Sequence, residues 1–453
     1  MKNHIGRPFL LLLLTVGILL TLRLFTLPDI GDYELKQINL LADITRRDTV
    51  DQVEKALAHL PKVKPIQKDT LPPGVTGIED YADSTQHGMQ PFYKALAQRK
   101  ALKRPVRIAY FGDSFIEGDI LTADLRELLQ NKFGGMGAGF TDVAPPFPGF
   151  RNTINQQFYG WDVRNVLQGD SCERSRLSLT QRYAMPLDSA YTDVRGSKHY
   201  AHLDSFEVAT LYISSPSPVT VKVRKNSSSS ERLTTQGTGA IEALRTEGNL
   251  RRVRYYMPED SLTTCYGIAL EGQDGIVLDN FSFRGSGGTS LGSIPLRRWR
   301  EFSRLRPYDL IILHFGLNVA SKKVLDYGFY VQNISRVIDR MKEAYPHTSF
   351  LIVGVSDRED KIDGELRTMP GVKALMKYQQ QAAAQNHIAF WNLYEAMGGE
   401  GSIVKMADSE PRGARKDYTH ITRHGGKVIA EKFYKSLLYD YEKFQKKDKH
   451  ATE

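Results

Sequence analysis

Two short stretches of the sequence contain the residue types that nucleophilic catalysis needs. In FGDSF, Ser114 follows an apolar run and a glycine, and in DYTH, Asp417 precedes His420 by three residues. A serine hydroxyl is a weak nucleophile unless a base removes its proton, and that base is usually a histidine that a carboxylate orients. In one tight loop, Asp417 can reach Nδ1 of His420 and leave Nε2 free for Ser114.

Each of these residues also has a structural explanation when it is taken alone. Serine is a favoured helix N-cap, so Ser114 suits the start of a helix. Asp417 suits the first turn of a helix, and His420 suits a surface loop. The catalytic interpretation therefore depends on further stretches that supply the remaining parts of a site.

Two such stretches favour a site that stabilises an oxyanion. HFGLN ends a buried apolar run, with Gly316 at the turn and Asn318 placed to project its amide. FSFRGSGG ends the preceding apolar run, and Gly285 can offer a backbone N–H. Donors of this kind contribute about 3 kcal/mol each to stabilising a tetrahedral intermediate. Taken individually, Asn318 suits a turn and Gly285 a loop.

The elements that position these residues alternate between strands and helices. Strands are predicted at 106–112, 275–283, 308–316, 349–355 and 388–394, and helices at 121–132, 291–305, 331–344, 372–385 and 428–438. This alternation predicts a parallel sheet with helices on both faces. Sites in such sheets form at the carboxyl ends of the strands, which is where Ser114, Gly285 and Asn318 occur.

A long β-rich stretch interrupts this alternation. Residues 142–274 contain short alternating runs such as VTVKVRK and RRVRYYM, separated by turn signals such as SSPSP. This pattern is typical of an antiparallel β-sandwich. We therefore expect a β-sandwich domain inserted into an α/β domain whose two parts are 76–141 and 275–443. The insert's Tyr159, Trp161, Tyr255 and Tyr256 suit either sugar stacking or a sandwich core, and the core is favoured.

The N-terminus has the pattern of an export signal. Lys2 and Arg7 precede an almost purely apolar run from Phe9 to Leu22. Bulky residues follow this run, so an uncleaved anchor at 1–27 is favoured over a cleaved peptide. Residues 28–75 are polar and rich in proline and lysine, as in a stalk, and 444–453 form a charged tail.

Composition narrows the possible partners. The net charge of +9 is spread along the chain, and no zinc-ligand spacing or RNA-binding motif accompanies it, so nucleic acid is not an expected partner. No metal site is predicted.

Cys172 and Cys265 are the only cysteines, and in an exported protein they either form a disulfide or remain two buried thiols.

In this order, the four motifs resemble those of the SGNH (GDSL-type) hydrolase superfamily. FGDSFIEGD resembles its first block, RGSGG the second, FGLN the third and DYTH the last. The resemblance implies a flavodoxin-like, three-layer fold that needs no metal or organic cofactor. It also implies that Ser114, His420 and Asp417 form the triad. The oxyanion hole would then consist of the backbone N–H groups of Ser114 and Gly285 and the amide of Asn318.

A finer resemblance suggests a substrate. The first block continues to FGGMGAGF and precedes a β-rich insert, as in exported enzymes that remove O-acetyl groups from peptidoglycan or other bacterial polysaccharides. In those enzymes the insert resembles a carbohydrate-binding module. The sequence departs from that pattern at Phe115, where many of them have a polar residue. The implied protein is a serine esterase of an acylated polysaccharide, on the periplasmic side of the inner membrane.

Other functions remain open at this point. An O-acetyltransferase would use the same triad with a sugar hydroxyl in place of water, alongside a membrane acyltransferase that supplies the acyl group. A lipid or thioester hydrolase would also fit the fold. A glycan-binding protein without catalytic activity is less favoured, because all four motifs are present. Beside the nucleophile, Glu117 and Asp119 suit helix capping, and His314 suits the core.

Overall fold

The computed structural model describes residues 6–22, 53–65, 71–83, 88–227, 229–362 and 364–452. Most of the predicted stalk at 28–75 and both ends of the predicted anchor at 1–27 lie outside these residues. The middle of the anchor segment, Gly6–Leu22, is helical. Among the helices that are described, none has both the length and the apolar character that crossing a membrane requires.

Seventeen strands are labelled in chain order over the described residues. They are β1 Ile78–Asp80, β2 Val106–Gly112, β3 Gly139–Thr141, β4 Ile154–Asn165, β5 Arg182–Gly196, β6 Phe206–Ser214, β7 Thr220–Lys225, β8 Ser229–Thr234, β9 Ile241–Leu250, β10 Arg252–Tyr256, β11 Thr264–Glu271, β12 Ile276–Ser282, β13 Leu310–His314, β14 Ser349–Val353, β15 Glu359–Ile362, β16 Glu365–Thr368 and β17 Ala389–Trp391.

The helices are labelled in the same way. They are α1 Gly6–Leu22, α2 Gln90–Ala97, α3 Thr122–Phe133, α4 Leu296–Leu305, α5 Gly328–Ala344, α6 Pro370–Gln385, α7 Leu393–Met397, α8 Ser402–Asp408 and α9 Arg423–Thr452. Short 3₁₀ turns cover Glu117–Asp119, Val166–Ser171, Arg174–Arg176 and Thr289–Ser293, and a helical segment covers 53–57.

The predicted parallel sheet is confirmed. Its strand order is β1-β17-β14-β13-β2-β12, and all neighbours are parallel except the short edge strand β1. Numbered along the chain, the five parallel strands have the order 2-1-3-4-5, which is the flavodoxin-like arrangement. Every residue of β2 is buried, as expected for a central strand covered on both faces. Right-handed crossovers place α3 on one face and α4, α5 and α6 on the other.

The inserted strands also form an antiparallel sheet, as predicted, but they belong to one hydrogen-bonded network. Its nine strands are β3 to β11, so the network starts at Gly139 rather than at 142. The strands do not divide into the two separate sheets of a simple sandwich because β5 is fifteen residues long. One edge of β5 pairs with β4, and the other pairs with β11 at Ala184 and with β10 from Tyr191 onward. The insert encloses its own apolar core.

A buried ion cluster joins the insert to the parallel sheet. Glu271, at the end of β11, accepts hydrogen bonds from Arg107 of β2 at 2.7 and 3.0 Å and from Arg306 at 2.9 Å. Arg306 also donates to Asp279 of β12 at 2.6 and 2.9 Å. Burial raises the pKa of Glu271, but Arg306 and Arg107 outweigh it and lower that pKa to about 2. The two sheets are thus joined by charges that have no access to water.

Three details differ from the sequence-based expectations. Cys172 and Cys265 are both buried free thiols, so the disulfide alternative is wrong. The last helix was predicted at 428–438, but α9 covers Arg423–Thr452 and so includes most of the charged segment 444–453. A hairpin of β15 and β16 follows β14, and neither strand was expected.

We predict that Glu271→Ala lowers the free energy of unfolding by about 3–5 kcal/mol, because buried Arg107 loses its carboxylate partner and buried Arg306 keeps only Asp279. Urea denaturation of the variant and the parent measures the difference. Glu247→Ala is the control, since Glu247 pairs with Arg245 where both side chains are about half exposed, at 53% and 54%. Exposed pairs contribute little. Equal losses in the two variants would contradict a stabilising role of the buried cluster.

Candidate active site

The nucleophile candidate lies directly after the central strand. β2 ends at Gly112, and Asp113 then turns the chain by accepting the backbone N–H of Phe115 at 2.9 Å. Any side chain at position 112 would meet Ile116 at 2.9 Å and the carbonyl of His314 at 3.0 Å, so the turn requires glycine. Ser114 is thereby held, half-buried, at the carboxyl edge of the sheet.

The structure brings Ser114, His420 and Asp417 together from both ends of the chain. Ser114 Oγ lies 3.3 Å from His420 Nε2, and His420 Nδ1 lies 2.9 Å from Asp417 Oδ2. The other carboxylate oxygen of Asp417 accepts the backbone N–H groups of Thr419 and His420, both at 3.0 Å. Partial burial opposes ionisation of Asp417, but the backbone and imidazole N–H groups of His420 outweigh it and lower the pKa of that carboxyl.

This geometry determines the roles of the imidazole nitrogens. An ionised Asp417 can only accept hydrogen bonds, so Nδ1 of His420 carries the hydrogen. Nε2 then has a free lone pair that faces the Ser114 hydroxyl. The arrangement can remove a proton from Ser114 and stabilise the imidazolium that results.

The predicted oxyanion donors lie at the same edge of the sheet. Gly285 follows β12, which pairs with β2 so that Ser282 is opposite Gly112. Its φ of +79° and the open space around its Cα leave the backbone uncovered there. Asn318 follows β13, and its Nδ2 donates to Asp113 Oδ2 at 3.0 Å and to the carbonyl of Ser286 at 3.2 Å.

Asp113 is a further residue of this site that sequence patterns did not single out. It is 1% exposed, and burial raises its pKa to about 6, although the Phe115 N–H and the Asn318 amide oppose the shift. Its two oxygens connect the turn that carries the nucleophile to the amide of Asn318. Asp113 therefore positions both groups.

Asp119 has a larger role than the helix capping expected of it. It does accept the Thr122 hydroxyl at 2.8 Å, but it also pairs with Arg126 at 3.0 Å and with Arg151 of the insert at 2.9 Å. Burial raises the pKa of Asp119, yet the two arginines outweigh it and hold that pKa far below its usual range. The insert thus helps to fix the loop that follows Ser114.

Arg423 joins the histidine loop to the same region. Its guanidinium donates to the carbonyls of Gly118 and Phe150, at 3.4 and 2.7 Å, and to the side chain of Asn152 at 3.1 Å. Its position three residues after His420 was the only sequence signal. His314, in contrast, is the core residue that was expected, buried and bonded to Tyr110.

Comparison with known proteins places this site in a family context. Residues 249–427 match the GDSL-like lipase/acylhydrolase family; the match includes Gly285, Asn318, Asp417 and His420, while Ser114 precedes it. No curated protein matches the chain in sequence.

Solved structures give a more extensive match to the fold. A peptidoglycan O-acetylesterase superposes with a TM-score of 0.68 at 20% identity, over 81% of this chain and 99% of that one. A family two carbohydrate esterase from Cellvibrio japonicus gives a TM-score of 0.27 at 10% identity, over 64% and 99% of the two chains. A salicylyl-acyltransferase from a tetracycline biosynthetic pathway gives 0.28 at 13% identity, over 66% and 97%. The last two TM-scores are too low to establish a common fold.

We predict that the free energy of unfolding of the parent, relative to that of Asp113→Asn, falls by about 2 kcal/mol between pH 4 and pH 7. The pKa of an aspartate in the unfolded chain is near 3.8, whereas the pKa of Asp113 in the folded protein is about 6. Between these values the folded state binds more protons than the unfolded state, so it loses stability as the pH rises. Urea denaturation of both proteins across this range measures the effect. A difference that stays constant with pH would contradict the raised pKa.

Proposed function

We propose that this chain is an SGNH (GDSL-type) hydrolase that removes O-acetyl groups from a cell-envelope polysaccharide such as peptidoglycan, because residues 249–427 match the GDSL-like lipase/acylhydrolase family and the fold is similar to that of a peptidoglycan O-acetylesterase. The nucleophile is Ser114, the base is His420 and the orienting carboxylate is Asp417. The observation that carries the proposal is the continuous hydrogen-bonded series from Ser114 Oγ through the imidazole to Asp417.

The first half of the reaction forms an acyl-enzyme. His420 Nε2 takes the proton of Ser114 as Oγ attacks the ester carbonyl, and the negative charge moves to the carbonyl oxygen. The backbone N–H groups of Ser114 and Gly285 and the amide of Asn318 donate to that oxygen. When the tetrahedral intermediate collapses, the imidazolium gives its proton to the sugar oxygen, which leaves as an alcohol.

The second half releases the acyl group. His420 takes a proton from water, and the hydroxide attacks the acyl-serine carbonyl with the same oxyanion donors in place. Collapse of this intermediate returns the proton to Ser114 Oγ and frees acetate. Each step of the proposed mechanism uses only these side chains and backbone groups, together with water.

The choice of a polysaccharide substrate has a separate basis. The similarity to a peptidoglycan O-acetylesterase extends over 81% of this chain, which is more than the residues outside the insert can supply, so part of the insert matches as well. At 20% identity this likeness concerns the fold, so the glycan substrate is an extension by analogy. The resemblance of the insert to a carbohydrate-binding module belongs to the same proposal.

We predict that the purified protein releases acetate from O-acetylated peptidoglycan and that Ser114→Ala reduces the rate by at least about 1,000-fold, because the variant lacks the hydroxyl that attacks the ester carbonyl. Acetate is measured by an enzyme-coupled assay. Asp417→Asn should lower kcat by at least about 100-fold and leave KM nearly unchanged, since Asp417 acts on the imidazole and not on the substrate.

Ser303→Ala, on α4, is the matched serine control and should retain full activity. Acetate release by the parent that persists in Ser114→Ala would overturn the triad. If acetylated glycan forms faster from a soluble acetyl donor than free acetate does, the protein is a transferase and the choice of water as acceptor is wrong.

We also propose that the protein is exported and that residues 1–27 hold it at the outer surface of the cytoplasmic membrane. The basic start and the apolar run up to Leu22 support this proposal. Substrate in the cell envelope is accessible only from that side.

We predict that the full-length chain stays in the membrane fraction after alkaline carbonate extraction, whereas a chain that begins at residue 28 is soluble in the cytoplasm. Immunoblots of fractionated cells, with mass spectrometry of the N-terminus, measure both outcomes. A full-length chain that appears in the soluble fraction with a new N-terminus would show cleavage and contradict the anchor.

A further inference from the structure

A cleft of about 600 Å³, including its open mouth, lies between the loop that follows Ser114 and the insert. Glu117 and Gly118 form one side, the segment 145–151 of the insert forms the opposite side, and the end of β12 forms the base. A side chain at Gly118 would collide with Phe150 at 2.5 Å, so the loop and the insert meet closely at one end of the cleft.

The cleft adjoins the reacting groups through its flanking residues. Glu117, on one wall, comes three residues after Ser114 and forms an ion pair with Arg284, the neighbour of Gly285. Ser282, at the base, is opposite Gly112 in the β2–β12 register. A molecule in this cleft therefore lies beside both the nucleophile turn and the turn that carries an oxyanion donor.

The charges of the cleft are paired with one another. Glu117 pairs with Arg284, and Asp142 pairs with Arg182 at 3.2 Å. A site whose acids and bases are matched has no net preference for an anion or a cation. A polar lining of this kind is also unfavourable for a long acyl chain, because the lining would be dehydrated without new hydrogen bonds. A neutral ligand with many hydroxyl groups fits this lining.

One oxygen in the cleft lacks a partner. Asp142 Oδ2 accepts from Arg182, whereas Asp142 Oδ1 is buried and has no hydrogen bond among the described residues. Burial raises the pKa of this carboxyl, although Arg182 opposes the shift. A buried acceptor without a partner is unfavourable, and a ligand hydroxyl that donates to it would remove this penalty.

An aromatic ring stands at the mouth. Phe147 is 54% exposed, and the Arg284 guanidinium lies 5.4 Å from its ring centre. Large exposed aromatic side chains beside paired polar groups are typical of sites that bind amphipathic ligands, such as a sugar ring with an apolar face.

From these observations we propose that the cleft is a sugar subsite: a pyranose ring of the glycan chain stacks on Phe147 and donates a hydroxyl to the Asp142 carboxylate, which holds the ester at Ser114. The proposal rests on the proposed function and names the part of the substrate that the insert recognises. It assigns to the insert a direct share in the active site.

The test compares a large and a small substrate. In Phe147→Ala and in Asp142→Asn, KM for acetylated glycan fragments should rise about five-fold or more, because one stacking or hydrogen-bond contact is lost. Hydrolysis of 4-nitrophenyl acetate, which has no sugar, should stay within about two-fold of the parent, since the triad is untouched. Tyr159→Ala is the matched control: Tyr159 is an insert aromatic with 62% exposure, and it does not line the cleft.

The outcomes separate the two proposals. If the parent hydrolyses 4-nitrophenyl acetate but no acetylated glycan, the proposed function fails before the subsite is tested. If the parent hydrolyses the glycan and both variants match Tyr159→Ala, the subsite is wrong and the function stands. If both variants lose activity equally on both substrates while retaining the parent's thermal unfolding curve, the cleft holds the acyl group or shapes the triad, and the sugar assignment is overturned.

Discussion

The conformation of the loop that follows Ser114 depends on one buried carboxylate. Asp119 has no exposed surface and a φ of +61°, and both features are unfavourable for an aspartate unless its surroundings stabilise it. Arg126 from α3 and Arg151 from the insert supply the opposite charge. Removing one partner of a buried ion pair costs several kcal/mol of stability. The loop after Ser114, which Asp119 ties to two arginines, therefore has little freedom to move.

The ion pairs of Asp119 explain how the insert takes part in the structure of the candidate active site. The insert contributes Arg151 to the buried cluster around Asp119, and it contributes the Phe150 carbonyl that Arg423 holds. The loop that bears His420 is thus tied to the loop that bears Ser114 through a segment that belongs to neither. Because the Ser–His distance must be kept within a few tenths of an ångström for proton transfer, such indirect bracing has direct chemical consequences.

The sequence was sufficient for those parts of the structure that depend on local patterns. Largely apolar runs that alternate with helical patterns identified all five parallel strands, and the spacing of Asp417 and His420, read together with the other motifs, anticipated their hydrogen bond. Contacts between residues distant in the chain were not accessible in this way. The ion pair between Asp119 and Arg151 joins a loop of the hydrolase domain to the insert, and nothing in either local pattern requires it.

The same reasoning accounts for the architectural differences. Strand β1 is three residues long and gains its pairing only from the edge of a sheet formed elsewhere in the chain. Because β5 is long, it pairs with both β10 and β11 along one edge. The alternation of apolar and polar residues does not distinguish such a strand from one that belongs to a single sheet of a sandwich. In both cases tertiary pairing decides the outcome, and local propensity does not.

The hydrogen bonds of Asn318 bear on how the proposed oxyanion site distinguishes the transition state from the substrate. Both hydrogens of Nδ2 are engaged, one with Asp113 and one with the carbonyl of Ser286. A neutral ester carbonyl competes with the Ser286 carbonyl on nearly equal terms, so binding the substrate gives no reason to exchange partners. An oxyanion is a much stronger acceptor, because a hydrogen bond to a charged oxygen is roughly twice as strong as a neutral one. The Asn318 amide therefore exchanges the Ser286 carbonyl for the substrate oxygen only as negative charge develops on that oxygen, while Asp113 keeps the amide in place. A contact that forms only in the transition state accelerates the reaction, whereas one that forms equally with the substrate merely tightens substrate binding.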